Sequence, residues 1–219
     1  MKISKSKYVP ALRFHFLTPL YDVIIGVTAR ESTFKQALIK QACLEQGHQI
    51  LDLASGTGTL AIWIKQQHPQ TKVIGVDVDP KILEIACRKA QQKGLLVKFD
   101  QAFSYCLPYP AARFDRVLSS MFFHHLDWEN KVKTVREVFR VLKPGAELHV
   151  ADWGRAENFL MRGLFFMVQF LDGFDNTQDH VKGKLISLFE ENGFVDVSQQ
   201  KAYNTIYGTI SLYSATKPG

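Results

Sequence analysis

The sequence predicts a single α/β domain: a mostly parallel sheet of seven strands with helices on both faces, a terminal antiparallel hairpin and a helical N-terminal cap. Three observations predict it. From about residue 48, short apolar runs alternate with amphipathic stretches. A glycine-rich turn joins the first run to the first of those helices. Two strand-like runs near the end are separated by only a few residues.

His48 to Leu53, Lys72 to Asp77, Leu95 to Phe99, Phe114 to Ser119 and Ala146 to Ala151 read as strands. Thr59 to Gln67, Pro80 to Gln92 and Asn130 to Leu142 carry apolar residues at three- and four-residue spacings and read as helices, Pro80 suiting a first turn and Asp79 its cap. Strand and helix in alternation imply parallel strands with right-handed crossovers. Phe194 to Ala202 and Thr205 to Thr216 should pair antiparallel about a turn near Asn204. The domain then divides into a helical cap (1–47) over the mouth of the sheet, a core (48–152), and lid helices with the hairpin (153–219).

A length of 219 residues with 46% hydrophobic content supports one sizeable core, and no composition break marks a linker. Arg13, His15, Pro19 and Asp22 interrupt any apolar run after the N-terminal lysines, so export is not expected. Three cysteines, Cys43, Cys87 and Cys106, suit reduced thiols in a cytoplasmic protein and read as small buried apolar side chains. The net charge of +6 is dispersed. Its densest group (Lys131, Lys133, Arg136, Arg140, Lys143) reads as a solvated helix face rather than a nucleic-acid surface. The remaining histidines show no ligand spacing and there is no Cys-x-x-Cys, so no metal site is expected.

The segment Ile50-Leu-Asp-Leu-Ala-Ser-Gly-Thr-Gly58 is a strand running into glycines and a helix, an arrangement that lets a ligand approach backbone closely. Gly56, Gly58 and Ala61 also satisfy the dinucleotide pattern G-x-G-x-x-A, and Asp77 ends the next strand where a ribose-binding acid belongs in either case. A nicotinamide-dependent oxidoreductase is therefore an alternative, as is a binding module that keeps the fold without catalysis. Asp52 bears on the choice, because a carboxylate there would sit poorly beside a pyrophosphate and well beside a ligand carrying cationic groups. Val78, next after Asp77, would face the adenine.

These residues, with Gly-Val-Asp-Val-Asp-Pro (75–80), Leu107-Pro-Tyr, Phe114-Asp-Arg-Val117, His124-His-Leu126 and Arg140-Val-Leu-Lys-Pro-Gly145, resemble the class I methyltransferases. Within them the chain is most similar to the type 11 group, which includes the ubiquinone and menaquinone biosynthesis C-methyltransferases. The resemblance covers roughly residues 48 to 152. It implies S-adenosylmethionine as cofactor, bound by Asp52, Ala54, Ser55, Gly56, Gly58, Asp77 and Val78, with Ser119 beside it. Two departures stand out: Ala54 replaces the first glycine of the loop, and Ala102-Phe-Ser104 replaces an acidic triplet. Adenine recognition then falls to backbone or Ser104, with Phe103 as apolar packing. Tyr21 and Arg30 in the cap would reach the donor's methionine end.

Methyl transfer from a sulfonium is an in-line displacement that needs alignment more than a nucleophile. Ser119, Ser120, His124, His125, Asp152 and Trp153 lie where helpers would be wanted. His124 and His125 are the candidates for a proton acceptor. Being adjacent, they should point about 100° apart on a helix, which leaves one of them structural. An N-methylating enzyme acting on nucleic-acid bases usually shows Asn or Asp, two prolines and an aromatic after the fourth strand; here the residues are Ser119-Ser-Met-Phe122. Residues 158–171, rich in Phe, Leu and Met, are too short and interrupted to span a membrane; they suit a lid over a small or lipophilic acceptor, or the face of a homodimer.

Overall fold

The computed structural model describes residues 31–154, 183–206 and 208–219, with Met161, Gly163 and Asp179 as isolated positions. The first thirty residues, with Tyr21, Arg30 and most of the expected cap, and nearly all of the 158–171 segment lie outside the described residues. The elements run α1 (Glu31–Gln41), β1 (Gln49–Leu53), α2 (Thr59–Gln67), β2 (Lys72–Asp77), α3 (Pro80–Gln92), β3 (Lys98–Gln101), β4 (Phe114–Ser120), a 3-10 turn (Phe123–His125), α4 (Trp128–Val141), β5 (Leu142–Trp153), α5 (Leu185–Glu191), β6 (Val195–Thr205) and β7 (Gly208–Thr216).

Seven strands form one sheet in the order β3-β2-β1-β4-β5-β7-β6. β1 to β5 are mutually parallel, and β7 runs antiparallel to both β5 and β6. The order reverses between β1 and β4, which opens a crevice at their carboxyl ends. Alternation along each strand builds two cores. Ile50, Val73, Leu118, Ala151 and Leu212 pack with α1 and α2, while Leu51, Leu53, Val117, Leu148 and Tyr213 pack with α4 and α5. Asp52 shares the face of Ile50 and so lies on the α1–α2 side.

Local chemistry sets the helix starts. Asp79 accepts from the Lys81 amide at 2.9 Å and Pro80 opens α3; Asp127 caps α4 by accepting from the Asn130 amide at 2.8 Å. α1, expected within the cap over the mouth, instead lies on the sheet face, burying Phe34, Leu38 and Ile39. Gln41 at its end donates to the Tyr213 carbonyl at 2.9 Å.

Four other expectations are corrected. β3 begins at Lys98 rather than Leu95, because parallel pairing sets Lys98 opposite Ile74 and leaves Leu96 88% exposed before the strand. The hairpin turns after Thr205, since Asn204 and Thr205 still pair with Thr209 and Gly208. All three cysteines are exposed free thiols rather than buried apolar groups. The basic group near α4 is a solvated face only in part: Lys133 and Arg136 are exposed, but Lys131 is fully buried, Arg140 is bonded to the backbone of residues 107 and 109, and Lys143 lies in β5 and pairs with Asp115 at 2.6 Å.

Candidate active site at the carboxyl ends of the strands

The β1–α2 loop is a run of left-handed backbone: Ala54 has φ 57°, Gly56 52° and Gly58 74°. That conformation explains why a glycine is the usual occupant of position 54, and Ala54 carries a cost of roughly 1–2 kcal/mol there. A Cβ on Gly58 would stand 2.7 Å from the Phe99 ring and 2.9 Å from Ala86, so close packing excludes any side chain. A Cβ on Gly56 would meet nothing within 4 Å. Gly56 therefore faces open space at the crevice, which is where backbone approach to a ligand is wanted. The loop is tied to β2 by the Ser55 amide, which donates to the Val76 carbonyl at 2.9 Å, and Lys89 of α3 braces its far side through the hydroxyls of Thr57 (3.1 Å) and Thr59 (3.0 Å).

Two carboxylates end the neighbouring strands. Asp77 accepts from the Gly56 amide at 2.9 Å and the Asp79 amide at 3.1 Å. Burial raises its pKa, opposed chiefly by the amides of Asp79, Gly56 and Val78. Asp52 is 1% exposed and accepts from the Ala61 amide at 3.0 Å. Burial pushes it up to about 7, against the opposing pull of the nearby Lys35 ammonium. A buried carboxylate with one hydrogen-bonded oxygen is poorly matched to a pyrophosphate and well matched to a cationic ligand. The Ser55 hydroxyl, buried beside Gly75, has no partner among the described residues. These features fit the donor implied by the resemblance.

Beyond β3, the Ala102 amide donates to the Asp77 carbonyl at 3.0 Å and brings residues 102–109 to the end of β2. Phe103 is not packed away: it is 44% exposed and stacks on Tyr105 with centroids 5.1 Å apart. Ser104, expected toward the adenine, pairs its hydroxyl with that of Thr134 on α4 at 2.8 Å. Val78 gives its carbonyl to the Gln101 amide group at 3.1 Å, and the buried Ser119 hydroxyl donates to the Leu53 carbonyl at 3.1 Å, joining β4 to β1.

On the β4–β5 side the organising group is Asp152, fully buried near the end of β5. It accepts from the amides of Phe122 (3.1 Å), Phe123 (2.7 Å) and Trp153 (2.7 Å), and its Oδ1 lies 2.7 Å from His124 Nδ1. The carboxylate thus shapes the 3-10 turn and holds His124, which is 3% exposed. His125 is partly exposed. The two imidazoles do not splay apart as a helical spacing predicts, for their centroids are 3.9 Å apart at a 44° tilt. Behind them Lys131 faces Asp179 at 3.6 Å. Desolvation lowers its pKa, with Asp179 and Asp152 opposing.

Sequence reasoning named Asp52, Ser55, Gly56, Gly58 and Asp77, which the fold gathers at the ends of β1 and β2. It did not find Lys35 beside Asp52, the buried Lys131, or the bonds from α4 to residues 104–109. The inward spacing of Lys131, Thr134 and Glu137 was the available signal.

Sheet order, glycine loop and strand-end acid together are those of the class I methyltransferase fold. Residues 50–145 match the family described as a methyltransferase domain. The chain is similar to the demethylmenaquinone methyltransferase of Thermus thermophilus, 35% identical over 143 residues, covering 64% of this chain and 64% of that protein. It is also similar to the demethylmenaquinone methyltransferase of Deinococcus radiodurans, at 30% over 154 residues, covering 69% and 63%. The alignment thus spans a little under two thirds of the length of these relatives. Among solved structures, the YcgJ protein of Bacillus subtilis superposes with a TM-score of 0.68 at 21% identity, covering 84% of this chain and 98% of that one. The chain has the fold of the class I methyltransferases.

Among the described residues, no group of His, Cys, Asp and Glu is arranged to hold a metal ion, and no helix is long and apolar enough to cross a membrane.

Proposed function

We propose that this chain transfers a methyl group from S-adenosylmethionine to a small lipophilic acceptor of the reduced-quinone or phenol kind. The observation that carries the reading is the pair of carboxylates flanking the open Gly56 backbone, Asp52 beneath the loop and Asp77 at the end of the next strand. Bound S-adenosylmethionine supplies an electrophilic methyl group on a sulfonium. Asp77, held by the Gly56 and Asp79 amides, keeps acceptor capacity for ribose hydroxyls. Asp52 faces the ammonium of the methionine end. The exposed face of Phe103 offers the adenine an apolar surface.

The acceptor class follows from the names of the relatives and from the chemistry at the end of β4. A hydroquinone or activated ring carbon sheds a proton around methyl transfer, and an imidazole in reach can take it near neutral pH. His125 is the proposed acceptor of that proton, because His124 is committed to Asp152 and lends its ring as the platform against which His125 rests. Alignment supplies most of the acceleration. A cytoplasmic site of action is part of the proposal, supported by three free, exposed thiols that an oxidising compartment would endanger.

The test is incubation with methyl-labelled S-adenosylmethionine and a short-chain reduced naphthoquinone, read by mass spectrometry for methylated product. Donor binding without methylation of any reduced quinone or phenol would remove the acceptor class. Absence of donor binding, with heat on titrating NAD, would favour the dinucleotide alternative.

A further inference from the structure

Helix α4 turns an unusual stripe inward. Apolar Val135, Val138 and Val141 fill the core, and beside them Thr134, Glu137 and Arg140, three residues apart, reach segment 102–109. Glu137 Oε2 accepts from the Leu107 amide at 2.8 Å. Arg140 donates through Nη1 to the Tyr109 carbonyl at 2.7 Å and through Nη2 to the Leu107 carbonyl at 3.1 Å. Its fork also holds both Glu137 oxygens, from Nε at 2.7 Å and Nη2 at 2.8 Å. Glu137 thereby lies below the ordinary carboxylate range, chiefly through its hydrogen bond to Arg140.

The other end of the segment is fixed to the donor side. Ala102 donates to the Asp77 carbonyl at 3.0 Å, and Tyr109 donates from its hydroxyl to Asp100 at 3.1 Å while its ring packs on Phe114. Between these anchors lie Phe103 and Tyr105, stacked on each other and partly open to solvent, with Ser104 held by Thr134. A loop carrying exposed aromatics would lose much of its order without such ties, and ordering it during binding would cost affinity.

We propose that Glu137 and Arg140 are positioning residues for the donor: by fixing the backbone of Leu107 and Tyr109 they hold segment 102–106 as a preformed wall for the adenosine half. The inference rests on the reading that the donor lies at the ends of β1 and β2. It accounts for the arginine of the Arg-Val-Leu-Lys-Pro-Gly run, whose fork geometry a lysine cannot reproduce.

The experiment titrates full-length wild type, Arg140→Lys and Glu137→Gln with S-adenosylhomocysteine and, separately, with adenosine, by calorimetry, and follows exchange of the Leu107 amide. Phe194→Leu, a core substitution that removes none of the hydrogen bonds to the segment, serves as a destabilised control. Arg140→Lys should weaken both ligands by about tenfold, a loss of about 1.4 kcal/mol, with stoichiometry unchanged and Leu107 exchange faster. Glu137→Gln should do the same to a smaller degree, since its amide oxygen can still accept from Leu107. Phe194→Leu should keep wild-type affinity in its folded fraction. Wild-type affinity in both clamp variants despite faster Leu107 exchange would overturn the proposal, as would a loss for S-adenosylhomocysteine without one for adenosine. If Arg140→Lys does not fold, Glu137→Gln decides alone. Failure of the wild type to bind either ligand would overturn the donor site itself.

Discussion

His124 Nδ1 lies 2.7 Å from Asp152 Oδ1, and the other oxygen of that carboxylate takes the amides of Phe122 and Phe123. One buried group therefore fixes both the turn after β4 and the ring on which His125 rests. The neighbouring histidines should part company on substitution. His124→Ala removes a hydrogen bond to a buried carboxylate and should cost about 1.5–3 kcal/mol of stability. His125→Ala should cost less than about 1 kcal/mol in stability and about a hundredfold in turnover of a reduced quinone. Thermal melts and single-turnover rates across pH measure both, and a wild-type rate profile in His125→Ala would remove it as the proton acceptor.

The three positions of the glycine loop predict three different outcomes. Ala54→Gly relieves left-handed strain and should raise stability by about 1 kcal/mol, roughly 2–4 °C in Tm for a domain of this size. Gly58→Ala forces a methyl against Phe99 and Ala86 and should lower stability by about 2 kcal/mol or more. Gly56→Ala has room for its methyl but takes on the left-handed backbone cost of about 1 kcal/mol that Ala54 carries, so it should melt between wild type and Gly58→Ala and lose S-adenosylhomocysteine affinity besides. Equal melting losses at Gly56 and Gly58 would contradict the assignment of open space to the ligand.

These contrasts also mark what the sequence could disclose. Asp79 and Pro80 announce α3 because a cap and a fixed φ act within one turn, and the helix has the expected bounds. Leu95-Leu96-Val97 looks equally decided, yet strand identity depends on pairing with β2, and Leu96 projects into solvent. Lys131 looked like a surface cation because its burial depends on Asp179 and Asp152, which only the tertiary fold brings near. Asp52 and Asp77 were legible because a glycine loop between two strands leaves little choice of where their ends lie. The bond from Ser104 to Thr134 was not legible, because Thr134 is on a helix across the sheet end.

Asp52 predicts a pH dependence. Its folded pKa, about 7, stands above the value of 3.8 for an unburied aspartate, because burial outweighs Lys35 and the Ala61 amide. The protonated form is therefore favoured in the folded state. Its contribution to stability is full below about pH 4 and is lost as pH rises through about 7. Asp52→Asn should flatten that part of the stability profile. If the donor's ammonium lies beside Asp52, binding must expel the proton, so wild-type affinity for S-adenosylhomocysteine should improve from about pH 6 to 8 while that of Asp52→Asn stays level. Titration in buffers of different ionisation heat should show proton release near pH 6.5, and no release would separate Asp52 from the ligand.

The proposed donor site lies at the carboxyl ends of β1 and β2, with Asp77 on the ribose. Calorimetric titration of S-adenosylhomocysteine into wild type and Asp77→Ala tests it most directly. Saturable binding by the wild type is expected, with a loss of about 1.5–3 kcal/mol in the variant, which is roughly ten- to a hundredfold in Kd. Equal affinity in the two proteins, or no binding by the wild type, would contradict it.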